Sequence, residues 1–484
     1  MSNSPGLTPH QRERLDRLIG SEPALVELGE RFAAAGHELS VVGGPVRDAL
    51  MGRAGQDWDL TTDARPEQME ELVAGWADAI WDVGRAFGTI AMRKGGVHIE
   101  VTTYRSDEYD FASRKPQVRF GETLDGDLSR RDFAINAMAV WLPSGDFVDH
   151  FDGLADLRAG VVRTPVAAGI SFGDDPLRMM RAARFVAQLG FTAHPEVVTA
   201  MTAMADRLDI VSAERIRDEL VKLLCSDHPV AGLRILVETG LADHMLPELP
   251  ALVLERDEHH RHKDVYEHSL TVLEQAIALE ARLDPGSNGH GADLVLRLAA
   301  LLHDIGKPRT RRFQAGGTVT FHHHDVVGAK LARKRLRALR FDNSTVDRVS
   351  RLVGLHLRFH GYGSGEWTDS AVRRYVRDAG DQLERLHILT RADSTTRNQQ
   401  KAARLQRTYD ELEERIAVLA EKEQLDSMRP DLDGNQIMDV LGIGPGREVG
   451  DAYRFLLELR MDQGPLGEAA AADALKTWWA DRNG

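Results

Sequence analysis

Two aspartates separated by one residue, Asp57 and Asp59, are the residues of this chain best placed to do chemistry. Alternate residues of a β-strand point to the same face, so both carboxylates can bind one divalent cation, and hard oxygen ligands suit Mg²⁺. Gly43 and Gly44 precede them, and glycines let the backbone turn its amide groups toward a phosphate. Either motif alone is more often a surface turn, but together they indicate metal-assisted nucleotidyl transfer.

An arginine-rich motif follows, in which Arg130 and Arg131 precede Asp132 and, four residues later, Asn136. A guanidinium offers a planar fork of donors to phosphate oxygens, and Asp and Asn side chains can bind ribose hydroxyls. We therefore predict that Arg131 contacts the phosphates of a nucleotide. The alternative is a surface salt bridge.

Three arginines spaced three residues apart form the next candidate site. Arg178, Arg181 and Arg184 should lie near one face of a helix, because Asp174, Asp175 and a proline ahead of them are typical of a helix start. A basic helix face paired with nearby acids is the alternative interpretation.

A second group of possible ligands lies downstream in amphipathic helical sequence. Histidine nitrogens together with carboxylates suit a transition metal, which could activate a bound water for phosphoester hydrolysis. The group comprises His268, His303, Asp304, His324, His356 and Asp393.

Period-two hydrophobic patterns predict the strands that position the first sites. The clean alternation of residues 97–105 places Glu100 on the face opposite Ile99 and Val101. Helices are predicted at 24–35 and 66–79. The strands are predicted at 39–42, 58–61, 87–93, 97–103 and 147–149.

Length and composition bound the class of protein. A chain of 484 residues should split into three or four domains. The single cysteine, Cys225, and the absence of an apolar leader or membrane span predict a cytoplasmic protein. The net charge of −14 is unusual for a nucleic-acid binder, but residues 307–340 contain ten Lys and Arg and one acid. That stretch predicts either a local RNA-binding surface or a solvated helix face.

The run from Gly43 to Thr62, of the form GGxVRDxLxG…DxDxxT, resembles bacterial-type tRNA nucleotidyltransferases (CCA-adding enzymes) and poly(A) polymerases, whose head is polymerase β-like. Residues 130–138 resemble the RRDFTxNA motif of that family, with Ala134 in place of Thr. Residues 174–185 resemble its EDxxRxxRxxRF motif, with Asp174 in place of Glu. Residues 109–116 resemble its flexible loop, although an ordinary surface loop explains them equally well.

The resemblance implies roles for individual residues. Asp57, Asp59 and Glu100 would be catalytic, although Glu100 could also be an ordinary solvent-facing strand residue. Asp175 and Arg178 would form a protein template that hydrogen-bonds the incoming base. The implied nucleotide-binding set is Gly43, Gly44, Arg47, Arg131, Asp132, Asn136, Asp175, Arg178, Arg181 and Arg184.

The downstream group resembles the HD phosphohydrolase signature. The resemblance implies His268, His303, Asp304 and Asp393 as ligands of Ni²⁺, Co²⁺ or Mn²⁺, with His324 and His356 completing a dinuclear site. The alternative is an HD fold without metal that only shapes RNA contacts.

The implied fold is α+β, with a mixed-sheet nucleotidyltransferase head followed by an all-α neck, HD domain and tail. The predicted boundaries are an N-terminal extension at 1–24, a head at 25–165, a neck with template and RNA-binding helices at 166–255, an HD domain at 256–398 and a tRNA-binding tail at 399–484.

The implied function is template-independent, Mg²⁺-dependent addition of CCA to the 3′ end of tRNA from CTP and ATP. The predicted partners are therefore tRNA, CTP and ATP, without a membrane or an obligate protein partner. A poly(A) polymerase, or an enzyme adding only A or only C, is the alternative within the class. A metal-dependent HD phosphohydrolase with an RNA-holding head is the alternative from another class.

Overall fold

The computed structural model describes residues 6–53, 58–82, 84–108, 117–253, 264–283, 291–314, 319–361, 367–395, 399–423 and 429–483. Within these residues the chain forms 23 α-helices and 13 β-strands. It divides into two compact units, Met1–Pro247 and Glu248–Gly484. No helix in the described ranges is long and apolar enough to span a bilayer.

The first unit is built around a seven-stranded sheet with the order β3-β4-β5-β2-β1-β8-β9. Strand β2 is parallel to β5 and antiparallel to β1, so the sheet is mixed, as the sequence predicted. The strands of the unit are β1 Leu39–Val42, β2 Trp58–Thr62, β3 Ala79–Trp81, β4 Thr89–Lys94, β5 Val97–Thr103, β6 Arg105–Glu108, β7 Gln117–Phe120, β8 Met138–Trp141, β9 Phe147–Asp149, β10 Val161–Val162 and β11 Thr192–Ala193.

Helices flank the sheet and continue beyond it in the first unit. Several begin with proline in the first turn, where the missing N–H costs nothing. They are α1 Pro9–Gly20, α2 Pro23–Ala34, α3 Gly44–Met51, α4 Pro66–Val73, α5 Leu124–Ser129, α6 Gly153–Ala159, α7 Ala168–Asp174, α8 Leu177–Leu189, α9 Pro195–Ala203, α10 Ala213–Leu224, α11 Pro229–Glu238 and α12 Leu241–Met245.

The two faces of the sheet differ in burial around the aspartate motif. On β2 and β5, Trp58, Leu60, Ile99 and Val101 are buried, whereas the residues between them are exposed. This period-two pattern packs one face on the core and leaves the other open to solvent.

The second unit is almost entirely helical. Its one described sheet pairs β12 Arg312–Phe313 with β13 Val319–Thr320. The helices are α13 Val265–Leu279, α14 Leu294–Leu302, α15 Lys307–Thr310, α16 His324–Ala338, α17 Asn343–Leu355, α18 Asp369–Ala379, α19 Leu383–Asp393, α20 Gln399–Glu423, α21 Gly434–Leu441, α22 Arg447–Gln463 and α23 Glu468–Asn483.

Two groups of helices carry the cores of the second unit. Helix α14 is buried along nearly its whole length and packs against α13, α17 and α19. A separate cluster at the end of the chain joins α21, α22 and α23, with Phe455 stacked on Trp478 at 4.9 Å between ring centroids. The first of these groups supplies the predicted HD ligands.

Candidate active site and second metal centre

Asp59 and Glu100 are direct neighbours on adjacent strands of the sheet. Strands β2 and β5 run parallel, and their register pairs Asp59 with Glu100. Both residues are exposed between buried neighbours, so the two carboxylates share the solvent face of the sheet. Asp57, the other predicted Mg²⁺ ligand, lies outside the described residues, as does the loop at 109–116. Asp59 and Glu100 by themselves offer carboxylate oxygens to a divalent cation on this face of the sheet.

The glycine pair leads directly from β1 into α3. Gly43 has a φ of 76°, and a Cβ at this residue would lie 3.3 Å from Nη1 of Arg131. A side chain here would therefore be strained and would crowd the guanidinium. The N-terminus of α3 has no side-chain cap, so its backbone amides and Arg131 are donors at the same place. Such a site suits a phosphate.

Asp127 on α5 holds the two arginines of the first arginine motif. Its carboxylate accepts hydrogen bonds from Nη2 of Arg131 at 3.0 Å and from Nε of Arg130 at 3.1 Å. It also accepts from Oγ1 of Thr61 at 3.2 Å, two residues beyond Asp59 on β2. Burial alone would raise the pKa of Asp127, but Arg131 and Arg130 outweigh it and lower the pKa. One carboxylate thus supports both Arg131, the predicted phosphate contact, and strand β2, which carries Asp59.

Sequence analysis did not identify Asp127. The available signal was its spacing, because an aspartate three and four residues before two arginines can pair with both on a helical turn. Its bond to Thr61 spans 66 residues of sequence and has no local signal.

Asp132 and Asn136 form a buried network instead of facing solvent. Oδ1 of Asp132 accepts from Nδ2 of Asn136 at 2.9 Å, and Oδ1 of Asn136 accepts from Nη1 of Arg47 at 2.7 Å. Arg181 donates to Oδ2 of Asp132 through Nε at 2.8 Å. Burial opposes ionisation of Asp132, but Arg181 and Asn136 lower its pKa overall. The network connects Arg47 on α3 to Arg181 on α8.

Helix α8 positions the three spaced arginines as the sequence predicted, near one face. Nε of Arg184 lies 2.6 Å from Oε2 of Glu219 on α10, and Nη1 of Arg181 lies 3.8 Å from Oε1 of the same residue. The ring of Phe185 lies 4.3 Å from the Arg184 guanidinium carbon and 5.2 Å from that of Arg47. These cation–π contacts and the Glu219 carboxylate hold the arginines in fixed positions.

Asp175 and Arg178, the predicted base template, are engaged with protein groups in this structure. Arg178 is 8% exposed and donates from Nη1 to Oγ of Ser171 at 2.9 Å and from Nη2 to the carbonyl of Arg130 at 2.5 Å. Asp175 accepts from Nη2 of Arg215 at 2.9 Å and from the backbone N–H of Leu177. Arg178 therefore also supports the loop that carries Arg131.

The sheet order separates the two kinds of group. The carboxylates lie on β2 and β5, whereas α3 follows β1 and the motif at 130–136 precedes β8, both on the other side of β2. The hydrogen-bond donors predicted to bind phosphate, which we call the phosphate donors, therefore occupy the β1–β8 side of the carboxylates.

The histidines and aspartates of the second unit converge on a second centre. Nε2 of His268 lies 2.9 Å from Oδ1 of Asp393, and Nε2 of His303 lies 3.2 Å from Oδ2 of Asp304. Nε2 of His324 lies 3.2 Å from Oδ1 of Asp304. Two groups of three potential metal ligands result, namely His268, His303 and Asp393, and Asp304, His324 and His356.

The hydrogen bonding of the histidines fits a metal centre. Nδ1 of His303, His324 and His356 each lies within 2.8 Å of a backbone carbonyl, so Nε2 is the ring nitrogen that is turned toward the centre and can bind a metal once deprotonated. Nε2 of His324 and Nε2 of His356 lie 3.3 Å apart, close enough for both to bind one cation together with Asp304. His322 and His323 are exposed, so His324 is the one of the three adjacent histidines that faces the centre.

The charge of the centre also favours a cation. Burial disfavours protonation of His303, but Asp304 and Asp393 raise its pKa to about 10. Burial likewise opposes ionisation of both aspartates, yet the pKa of each lies well below its usual range because of the surrounding histidines. Two buried carboxylates with imidazole ligands suit a transition metal better than Mg²⁺.

The basic stretch of the second unit forms an exposed line on α16. Lys330, Lys334 and Arg337 are exposed at helical spacing, while Arg333 and Arg335 pair with Asp347 and Glu248. The exposed line therefore remains available for a polyanion.

Comparison with known proteins places each part of the chain. The family description for a poly A polymerase head domain matches residues 39–163. The description for a probable RNA and SrmB-binding site of polymerase A matches 190–252, and that for an HD domain matches 265–398.

The solved CCA-adding enzyme of Bacillus stearothermophilus in complex with CTP has a TM-score of 0.65 at 23% identity, covering 99% of each chain. The Thermotoga maritima CCA-adding enzyme complexed with tRNA has a TM-score of 0.60 at 18% identity, covering 96% of this chain and 98% of that one. Both show the same fold.

Curated relatives extend the similarity to sequence. The CCA-adding enzyme of Lactiplantibacillus plantarum is 41% identical over 217 residues, 45% of this chain and 52% of that protein, so the match spans about half of its length. The A-adding tRNA nucleotidyltransferase of Deinococcus radiodurans is 34% identical over 449 residues, 91% of this chain and 95% of that protein. With that identity over nearly its full length, this chain belongs to the family of tRNA nucleotidyltransferases and poly(A) polymerases that carry an HD domain.

Proposed function

We propose that the protein adds CCA to the 3′ end of tRNA from CTP and ATP. The observation that carries this proposal is the shared face of Asp59 and Glu100 beside the phosphate donors Gly43 and Arg131. The CCA-adding relatives support tRNA as the substrate. A cytoplasmic location accords with tRNA processing and with the single cysteine.

The residues of the head divide the reaction between them. Asp59 and Asp57, with Glu100 beside Asp59, would hold Mg²⁺, which lowers the pKa of the 3′-hydroxyl and neutralises the departing pyrophosphate. Arg131 and the first turn of α3 bind and orient the triphosphate. The buried bonds of Asp127 keep Arg131 in place without reorganisation during the reaction.

Base choice is assigned to Asp175 and Arg178 at the start of α8. Asp175 provides acceptors and Arg178 provides parallel donors, which match the edges of cytosine and adenine. For base reading, Nη2 of Arg178 or Oδ2 of Asp175 exchanges a present partner for the base. Exchanging the partner costs little free energy for Asp175, because its partner Arg215 is largely exposed and the ion pair is therefore weak.

Addition of A alone is the second candidate function. The specific observation in its favour is that the relative matched over 95% of its length is an A-adding enzyme, whereas the CCA-adding relative is matched over 52% of its length. The residues for metal and phosphate binding serve either activity, because both require the same transfer chemistry.

One experiment separates these functions. Purified protein is given tRNA lacking CCA, and separately tRNA ending in CC, with CTP, ATP or both, and the products are sequenced. The CCA-adding function requires CC from CTP alone and CCA from both nucleotides on the first substrate. Extension of only the CC-ended tRNA by a single A identifies an A-adding enzyme. Long A tracts on any RNA identify a poly(A) polymerase.

The HD centre is proposed to bind Ni²⁺, Co²⁺ or Mn²⁺ and to hydrolyse phosphomonoesters or 2′,3′-cyclic phosphates. This proposal is supported by the two adjacent groups of three potential ligands, of which one contains Asp304 and the other lies next to it. Metal content of the purified protein and phosphate release with each metal test it. Absence of bound metal and of hydrolysis with all three would assign the centre a scaffolding role.

A further inference from the structure

A row of residues crosses the solvent face of the head sheet from the carboxylates to its edge. The strand registers pair Asp59 with Glu100, Glu100 with Ala91, and Ala91 with Trp81. Residues paired in register point to the same side of a sheet. Trp81, which is 39% exposed on the edge strand β3, therefore belongs to the same face as the carboxylates.

A direct ring contact confirms this placement. The ring centroids of Trp81 and His98 lie 5.5 Å apart with an angle of 36° between the planes. His98 is exposed and lies two residues before Glu100 on β5, so it is on the carboxylate face. Ala91 lies in the row between Trp81 and Glu100, and its small side chain leaves room for the indole to reach toward His98.

One exposed guanidinium lies beside the two rings. Arg93 pairs in register with His98 and is exposed on the same face. It forms no ion pair with any residue in the described ranges. An exposed aromatic pair beside an available guanidinium is how proteins bind single-stranded nucleic acid, with stacking for the bases and charge for the backbone.

The rings and the phosphate donors lie on opposite sides of the carboxylates. Arg131 and α3 belong to the β1–β8 side of β2, whereas Trp81 belongs to the β4–β3 side of β5. In nucleotidyl transfer the attacking hydroxyl and the leaving pyrophosphate are on opposite sides of the reacting phosphorus. If the triphosphate occupies the first side, the RNA end must reach the carboxylates from the second.

We propose that Trp81 and His98 form a stacking platform for a base in the single-stranded 3′ end of the RNA substrate, with Arg93 binding its backbone. The proposal rests on the proposed function, because it assumes an RNA 3′-hydroxyl at the Asp59–Glu100 face. Two strand spacings of about 4.8 Å separate Trp81 from Glu100, which gives roughly 10 Å. That distance corresponds to about three stacked nucleotides, at about 3.4 Å per nucleotide along one strand. The platform would thus hold a base a few nucleotides before the end.

The test compares binding of two RNA hairpins, one blunt and one with a three-nucleotide single-stranded 3′ end, in the absence of nucleotide. Because stacking is lost, Trp81→Ala should bind the hairpin with the single-stranded end with a Kd about tenfold higher than wild type, whereas its Kd for the blunt hairpin should be unchanged. Trp81→Phe should retain most of the affinity. Ile80→Ala is the matched control, because Ile80 is 40% exposed on the same strand but points to the other face.

A second readout reports stacking directly. With 2-aminopurine in the single-stranded end, the wild-type protein should quench its fluorescence and Trp81→Ala should not. In steady-state assays Trp81→Ala should raise KM for RNA, with kcat and KM for CTP nearly unchanged.

The outcomes separate this proposal from the proposed function. Equal weakening of both hairpins, or equal weakening by Ile80→Ala, overturns the platform even if the enzyme adds nucleotides normally. If the wild type adds no nucleotide yet Trp81→Ala selectively weakens binding of the single-stranded end, the function is wrong and the platform is supported. Unchanged RNA binding by Trp81→Ala also overturns the platform.

Discussion

Asp59 is the described residue to which we assign the most direct part in the transfer chemistry. We expect Asp59→Asn to lower kcat by at least about 100-fold, because one charged ligand is lost where transition-state charge develops. Its exposed position predicts normal folding and normal tRNA binding. Single-turnover addition with a matched gel-shift assay measures both. Asp48→Asn is no suitable control, since Asp48 is only partly exposed and pairs with Arg47 of the buried network. Asp125→Asn on α5 is the control, because its largely exposed carboxylate pairs with the exposed His150 and not with a predicted site residue. More than a tenth of wild-type turnover in Asp59→Asn would contradict the assignment.

Asp127 makes a pH-dependent contribution to stability. Because its folded pKa lies below the ordinary value of 3.8, its ionised form stabilises the fold above that pH, and the stabilisation is lost as pH falls through the folded pKa. Asp127→Asn should lower the free energy of unfolding by about 3 kcal/mol at pH 7, as expected for breaking a buried ion pair. Urea unfolding at pH 7, 5 and 3 should show the difference from wild type shrinking below about pH 4. A constant difference across this range would contradict the role, and Asp125→Asn should show almost none.

At this scale the sequence predicted residues whose signals are local. The aspartate pair, the glycine pair and the His-Asp signature are short patterns with a direct chemical meaning. Asp127 and Glu219 were not predicted as site residues, because their partners lie on distant elements. A predicted site residue can also have structural bonds that its motif does not indicate. Arg178 donates to Ser171 and to the Arg130 carbonyl, and nothing in the sequence predicted these bonds.

Among the elements, α8 is the one to which we assign base selection. We predict that Asp175→Ala raises incorporation of UTP or GTP relative to CTP and ATP, because it removes the acceptor of the template. Arg215→Ala breaks the same ion pair and leaves that acceptor in place, so it is the matched control. Competition assays with all four nucleotides give the ratio. Equal preference in the wild type and Asp175→Ala would move the template to other residues. Arg178→Ala is less informative, since it also frees the Arg130 carbonyl.

The elements themselves were partly predictable. Strands β1, β2, β5 and β9 follow the expected boundaries to within a residue, and α2 lies within one residue of its prediction. The helix predicted at 66–79 ends at Val73, and residues 79–81 form β3. A three-residue edge strand is too short to show a period, and the glycine at 75 has a φ of 69° that ends the helical segment. Strand β8 was missed because Met138–Trp141 is a short apolar run without alternation.

For the molecule as a whole, the two centres should act independently. The head residues and the HD ligands belong to different compact units. We expect His303→Ala with Asp304→Ala to leave nucleotide addition within about twofold of wild type. Any bound transition metal and any metal-stimulated hydrolysis should be lost, because two of the presumed ligands are removed.

Both buried positions are sensitive to folding, so His268→Ala is a second test. Its side chain is partly exposed, and its removal should also eliminate hydrolysis without affecting the head. Both reactions and the metal content should be measured on one preparation. Loss of nucleotide addition by a variant that remains folded would show that the centres are coupled.

The fold class was predictable at this scale because consecutive motifs report on consecutive parts of the chain. The mixed-sheet head and the helical remainder are confirmed by the strand registers and by the family descriptions. The four boundaries between the five predicted segments remain predictions. Local motifs mark the interior of a domain, whereas a boundary depends on which helices pack together.

The bonds of Asp127 limit how this protein can change in evolution. Thr61, Arg130 and Arg131 all depend on one carboxylate, so a substitution that retunes phosphate binding also disturbs the strand that carries Asp59. Asp175 has no bond to that carboxylate, and its partner Arg215 is exposed. If Asp175 reads the base as proposed, preference for a nucleotide can drift at that residue without disturbing the bonds of Asp127, whereas a change at Arg178 also affects the Arg130 carbonyl. On this proposal, a family that contains enzymes that add A and enzymes that add CCA would diverge at the start of α8 sooner than at Asp127.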